Sequence, residues 1–156
     1  MTTHMPDIQS LIERVEAATG PSYELDCAIW DAVYPGERQA RFDALTAKGQ
    51  PYHRRLGPAD MDGYVKPLRS FTTSLDAAMT LVPRGWIVEI RRYFNNDGEF
   101  VSAASLTDSF TVGRGCDPEE EVTVSSRIVE RRQGADPTPL ALCAVALKAR
   151  NPSHEG

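Results

Sequence analysis

The stretch Ser74–Ala104, SLDAAMTLVPRGWIVEIRRYFNNDGEFVSAA, contains the pattern that decides the fold. Over Trp86–Arg91 a strand would carry Trp, Val and Ile on one face and Ile, Glu and Arg on the other. Asn95–Gly98 then predicts a tight hairpin turn, because Asn and Gly tolerate the positive φ angles that such turns require. A partner strand is expected over Glu99–Ala104. The stretch therefore predicts two antiparallel strands joined by a hairpin.

A helix is predicted directly before this hairpin. Ser74 is a suitable N-cap, and Asp76 in the first turn complements the helix dipole. Pro83–Gly85 ends the helix. Its buried stripe is expected to consist of Leu75, Ala78, Met79 and Val82.

Two further helices are predicted at the start of the chain. The first runs from about Asp7 to Ala18, with Asp7 as its N-cap. The second follows Ser22 as N-cap and runs over Glu24–Val33, where apolar residues recur at helical spacing. Gly20 and Pro21 separate the two helices.

A last helix is predicted near residue 138. Thr138 is the expected N-cap and Pro139 the first helical residue, a position where the missing N–H has no cost. Leu140–Leu147 is apolar on all sides, which predicts deep burial. Before this helix, the alternation over Val122–Ile128 predicts another strand. Helices separated in sequence from an antiparallel meander indicate an α+β fold with the helices packed on the sheet.

Residues 37–70 lack a clear period, apart from a short helix expected over Gln39–Ala47. The chain of 156 residues fits a single domain, residues 1–156, with this segment as an insertion. The net charge of −5 argues against nucleic acid as the main partner. No apolar run long enough for a membrane span and no secretory signal are found. Three scattered cysteines, Cys27, Cys116 and Cys143, predict a reducing compartment, the bacterial cytoplasm.

Three ordered segments carry a resemblance to a known family. The first is Glu16–Pro21 followed by ELD at Glu24–Asp26 and AIW at Ala28–Trp30, the second is Thr72–Trp86, and the third is Thr138–Arg150. In this order they resemble the phage ABA sandwich domain, a family of uncharacterised phage and prophage proteins. The resemblance implies an α-β-α sandwich with a small antiparallel sheet packed by about four helices, and a phage origin. It implies no activity.

Aromatic and basic residues supply a candidate binding site. Aromatic faces stack on planar ligands, and arginines donate to phosphate groups. A nucleotide-like ligand would use both if the fold brings them together. The alternatives are core packing for the two tryptophans and an ordinary solvated loop for the basic cluster. The candidate ligand-binding residues are Trp30, Tyr52, His53, Arg54, Arg55 and Trp86.

Carboxylates supply an alternative, enzymatic site. Asp26, Asp76 and Glu119–Glu121 could hold a cation and act as acid and base if they converge. The structural interpretation places Asp26 at an exposed or capping position and Asp76 at a helix N-terminus. No P-loop and no histidine-based triad or metal site is found, and Cys116 has no visible base beside it. No cofactor is expected.

The sequence leaves three functions open. The favoured one is a non-enzymatic phage accessory protein that binds a host protein or a small nucleotide-like molecule, with counter-defence as one setting. The alternatives are a small carboxylate- and cation-dependent hydrolase and a homo-oligomeric assembly module.

Overall fold

A computed structural model describes residues 7–40, 43, 70–108, 122–130 and 134–151. The expected helix over 39–47 lies mostly outside these residues, although residues 37–40 are helical. Four helices and three strands have defined bounds. In chain order they are α1 (Ile8–Glu16), α2 (Tyr23–Val33), α3 (Leu75–Met79), β1 (Trp86–Phe94), β2 (Phe100–Asp108), β3 (Thr123–Val129) and α4 (Thr138–Arg150).

The three strands form an antiparallel sheet in the order β1-β2-β3. The predicted hairpin joins β1 to β2, and the Asn95 N–H donates to the Glu99 carbonyl at 2.9 Å. Gly98 has φ of +77°, the left-handed conformation for which the turn needs glycine. β2 continues to Asp108, four residues beyond the predicted end, because it stays paired with β1 as far as Trp86.

The two faces of the sheet differ in what covers them. We call the face that carries the even-numbered side chains of the strands the inner face, and the face that carries the odd-numbered ones the outer face. On the inner face Leu106, Val124 and Ile128 are buried in the main core. Trp86, Val88 and Ile90 are half-buried against the same core, so the predicted alternation of β1 is confirmed.

Helix α4 lies at the centre of the core. It contacts α1, α3 and all three strands, and every residue over Thr138–Leu147 is buried. The burial predicted from its all-round apolar composition is confirmed. Helix α1 buries Leu11, Ile12 and Val15, and α2 packs against α1.

The start of α4 differs from the prediction that Thr138 is its N-cap. Thr138 is already helical and Pro137 occupies the N-cap position, so the side chain that serves the first helical N–H is the Asp136 carboxylate. Its Oδ1 accepts from the Thr138 N–H at 2.9 Å and from the Thr138 hydroxyl at 2.5 Å. The same hydroxyl also lies 2.7 Å from Ser102 Oγ on the inner face of β2, so it joins the helix to the sheet.

Helix α3 also differs from its prediction. Ser74 caps it as expected, with its Oγ accepting from the Ala77 N–H. The helix then ends at Met79, earlier than expected, and of its predicted apolar stripe only Ala78 is buried. Leu75 and Met79 are each 41% exposed, because five residues make little more than one turn and present one side to α4.

The α+β class and the antiparallel sheet packed by helices are confirmed. The described helices that contact the sheet, mainly α4 with a smaller contribution from α1, lie against its inner face. Within the described ranges no helix covers the outer face, so these ranges contain two of the three layers of a sandwich. No helix among them is long and apolar enough to cross a membrane.

Candidate functional site

The predicted aromatic and basic site is described only at its two tryptophans. Trp30 lies in the core with 1% of its surface exposed, and Trp86 is half-buried against the same core. Trp30 therefore has no ring face available to a ligand, which agrees with the core-packing alternative. The cluster Tyr52–Arg55 lies outside the described residues, so its part in a ligand site stays a prediction.

Asp26 is not at an exposed or capping position, as the structural interpretation of the sequence had it. It is 5% exposed, and its Oδ1 accepts from the Thr72 N–H at 2.8 Å. Burial raises the pKa of the Asp26 carboxyl, although the hydrogen bonds from Thr72 act in the opposite direction. Thr72 also accepts from the Ser22 N–H, so the segment before α3 is fastened to the start of α2.

The two described carboxylates of the alternative, enzymatic site differ in burial. Asp76 is exposed in the first turn of α3, whereas Asp26 is buried. No group of three potential metal ligands occurs among the described residues. Glu119–Glu121 and Cys116 lie outside them.

The two described cysteines are free thiols that differ in burial. Cys143 is buried in α4 and its thiol donates to the Phe71 carbonyl at 3.3 Å. Burial, with a smaller contribution from the charge of Asp26, raises the pKa of the Cys143 thiol. Cys27 is half-buried. A thiol that resists ionisation is a poor nucleophile, so Cys143 serves packing.

A depression with polar walls lies at the sheet, and most of the residues that line it occupy outer-face positions. Its volume is about 330 Å³. The strand register explains why space is left there. Ala103 lies between Arg91 and Arg127, and the neighbouring row places Ser105 between Glu89 and Ser125. Three small side chains form the floor and three long charged ones form the walls. Ten residues line the depression, and the six at outer-face positions are Glu89, Arg91, Ala103, Ser105, Ser125 and Arg127.

The three charged side chains differ in whether they have an ion-pair partner. Glu89 and Arg91 form an ion pair on β1, with 2.6 Å between Oε1 and Nε. The Arg127 guanidinium lies 5.9 Å from the centre of the Tyr93 ring, and it has no ion pair with any described carboxylate. An exposed arginine beside an aromatic ring keeps its full charge and donors available to a ligand.

A second polar group borders the depression at β3. Glu16 of α1 accepts from the Ser126 hydroxyl at 2.9 Å and forms an ion pair with Lys148 of α4. Lys148 Nζ also donates to the Ser125 carbonyl at 2.8 Å. These bonds join two helices to one strand, and Glu16 and Lys148 balance each other in charge. The net charge of the side chains lining the depression is therefore +1, from three cations and two carboxylates.

Sequence reasoning did not select these lining residues as a site. The alternation of β1 and β3 did place Glu89, Arg91 and Arg127 away from the core. Their convergence depends on the register of three strands, and β3 begins at Thr123, well after β2 ends at Asp108, so the sequence does not fix how the two strands align. The only available signal was a basic residue on an outward position in both flanking strands.

Comparisons with known proteins add nothing to this geometry. No protein-family model matches the chain, and neither a curated protein nor a solved structure matches it. The resemblance to the phage ABA sandwich family therefore stays a prediction from the three sequence segments.

Proposed function

We propose that this protein acts by binding, and that the outer face of its sheet holds a small phosphate-bearing molecule such as a nucleotide. The proposal keeps the phage accessory role that the sequence resemblance implies. One observation carries it: the Arg127 guanidinium has no described carboxylate partner and borders a depression floored by small residues.

The chemistry of the depression suits a phosphate group. Guanidinium groups bind phosphate oxygens through paired N–H donors, and hydroxyl groups supply additional donors. Arg127 provides the first kind, and Ser105 and Ser125 provide the second. Arg91 lies across Ala103 from Arg127 and supplies a second cation. A phosphate group could bind Arg91 in place of its present partner, Glu89.

The size of the depression favours a small ligand. Ligand pockets in proteins range from roughly 300 to 1,000 Å³. At about 330 Å³ this one is at the small end of that range. A local charge of +1 on a chain whose net charge is −5 would attract a compact anion, and it is too small for the long basic surface that nucleic acid needs.

Tyr93 would act as a positioning residue. Its ring is half-buried on the outer face, and the Arg127 guanidinium lies beside it. Contact with an aromatic ring restricts the long arginine side chain before the ligand arrives. Less side-chain freedom is then lost on binding, which increases affinity.

Nuclear magnetic resonance titration with nucleoside monophosphates and with inorganic phosphate tests the proposal. We expect the largest amide shifts at Ala103, Ser105 and Ser125. Arg127→Gln should weaken binding about tenfold or more, since a hydrogen bond to a charged group contributes roughly 1.5–3 kcal/mol. The matched control is Arg84→Gln, which removes an exposed arginine from the loop before β1.

Two results would refute the proposal. One is the absence of shifts at millimolar ligand in the folded protein. The other is binding that Arg127→Gln and Arg84→Gln weaken equally, because such binding would reflect the overall charge and not this depression.

A further inference from the structure

Strand β1 lies at one edge of the sheet. It is the end strand in the order β1-β2-β3, and within the described residues its far side pairs with nothing. The backbone groups of Phe100 and Asp108 in β2 point to β3, where they bond to Glu130 and Val122. Since successive residues alternate in direction, the even-numbered residues of β1 point their N–H and C=O groups away from β2.

The same strand exposes the largest apolar side chains. Phe94 is 73% exposed and Ile87 is 51% exposed, the two highest values among the large apolar residues that the structure describes. Both belong to β1. A nine-residue open edge with exposed apolar side chains is a template for pairing with another strand.

We propose that β1 pairs with β1 of a second copy of this chain, antiparallel and about a twofold axis at Ile90, to form a continuous six-stranded sheet. Ile90 is the middle residue of β1, so all nine residues of each strand would be paired. It is also even-numbered, so its outward N–H and C=O would bond to those of its own copy.

The charges of β1 select this register. With Ile90 opposite itself, Glu89 lies opposite Arg91 of the second copy, and the twofold axis repeats the pair. A shift of the second strand by two residues in one direction places Glu89 opposite Glu89. A shift in the other direction places Arg91 opposite Arg91. Opposite charges across strands stabilise a sheet and like charges destabilise it, so the central register is favoured.

The apolar residues agree with the same register. On the outer face Ile87 would lie opposite Tyr93 of the second copy, and on the inner face Trp86 would lie opposite Phe94. Aromatic pairs and aromatic–β-branched pairs are the apolar combinations that stabilise neighbouring strands most. The exposed Phe94 and Ile87 thereby each gain an apolar partner.

The other edge of the sheet is partly occupied. Lys148 donates to the outward-pointing Ser125 carbonyl of β3 at 2.8 Å. A lysine at this position interferes with strand addition there. A self-complementary contact at β1 alone closes after two copies, which makes the expected assembly a dimer.

Sedimentation equilibrium of the full chain over a micromolar concentration series tests the proposal, with reversed charges as variants. Glu89→Arg and Arg91→Glu each place like charges across both pairs, so each should raise the dimer dissociation constant about 30-fold or more. Mixing the two variants should restore dimerisation as a heterodimer, because every Arg then faces a Glu. The double variant E89R/R91E should also dimerise as the wild type does.

Both side chains are exposed, so the variants should fold, and circular dichroism and thermal melts verify this. A control outside β1 is Glu24→Arg in α2, which should leave the dissociation constant unchanged. A monomeric wild type would overturn the proposal. So would a dimer that the single variants do not weaken, or variants that dissociate but are not restored by mixing. These results do not depend on the phosphate titration, so either proposal can fail without the other.

Discussion

The two faces of the sheet are formed by alternate residues of the same strands, and they differ in burial. On the inner face Leu106 is fully buried under α4, whereas Thr107, the next residue, faces outward and pairs its hydroxyl with Thr123. Likewise Ser126 is buried and donates to Glu16, whereas Ser125 next to it is exposed. The inner face therefore carries most of the packed apolar side chains, whereas the outer face, apart from the buried Val101, carries mainly charged and small polar ones.

This contrast indicates where changes would be tolerated. The inner face is closely packed, so a lost methyl group leaves a cavity that neighbours cannot fill. Apart from the buried Val101, the side chains of the outer face are at least partly exposed, so we expect substitutions at those positions to alter binding more than folding. The following experiments test that division.

The largest expected effect is a difference in the free energy of unfolding between substitutions at two adjacent residues of β2. Leu106→Ala should lower the free energy of unfolding by roughly 2–5 kcal/mol, because it empties a fully buried position under α4. Thr107→Ala removes one exposed hydroxyl pair and should cost less than about 1 kcal/mol. Urea denaturation of both variants measures the difference. Equal losses would mean that the outer face is packed as tightly as the inner one.

A smaller effect on stability concerns the buried carboxyl group of Asp26 in α2. Burial raises the pKa of Asp26 above its usual value of 3.8, so the folded state binds a proton more tightly than the unfolded state. The stabilising contribution of this group is fully present below about pH 3.8 and is lost as pH rises through the raised pKa. Asp26→Asn keeps an acceptor for the Thr72 N–H and does not titrate. Relative to wild type, this variant should gain stability as pH rises from about 3.8 through the raised pKa.

Urea denaturation at several pH values measures that gain. Asp26→Ala is the companion variant, since it leaves the Thr72 N–H without its acceptor and should cost roughly 1–3 kcal/mol. A constant difference between Asp26→Asn and wild type across this pH range would contradict the raised pKa.

The smallest effect lies where α4 meets the inner face. Asp136→Ala removes the carboxylate that accepts from both donors of Thr138 and should lower the free energy of unfolding by about 1 kcal/mol. Asp136→Asn retains an acceptor oxygen and should lose less. Thermal unfolding of the two variants distinguishes them. Equal losses would indicate that the exposed ion pair with Arg92, and not the cap, is what Asp136 contributes.

The elements that sequence reasoning predicted well are those set by neighbours along the chain. Asn95–Gly98 specifies the hairpin because its turn needs a positive φ, and the structure has it at Gly98. Leu140–Leu147 predicts burial because no side of that helix is polar. Ser22 and Ser74 cap their helices as expected, through bonds to the residue three positions later.

The features that sequence reasoning missed depend on partners far apart in the chain. Asp26 is buried because the N–H of Thr72, 46 residues away, satisfies its carboxylate. Glu16 forms an ion pair with Lys148, which lies 132 residues later in the chain, and no local sequence pattern predicts that pair. The depression on the outer face has the same origin, since it needs the register of three strands at once. Long-range pairing is a property of the fold and is not visible in a window of sequence.

The central position of α4 has a consequence for how the protein is made. The elements that α4 contacts, α1, α3 and the three strands, all precede it in the chain. A ribosome therefore completes each of them before their common partner exists, and their apolar faces meet water during that interval. Nascent chains in this condition are prone to aggregate. Translation speed and chaperone supply should thus influence the yield of this protein more than that of a domain whose neighbours in space are neighbours in sequence.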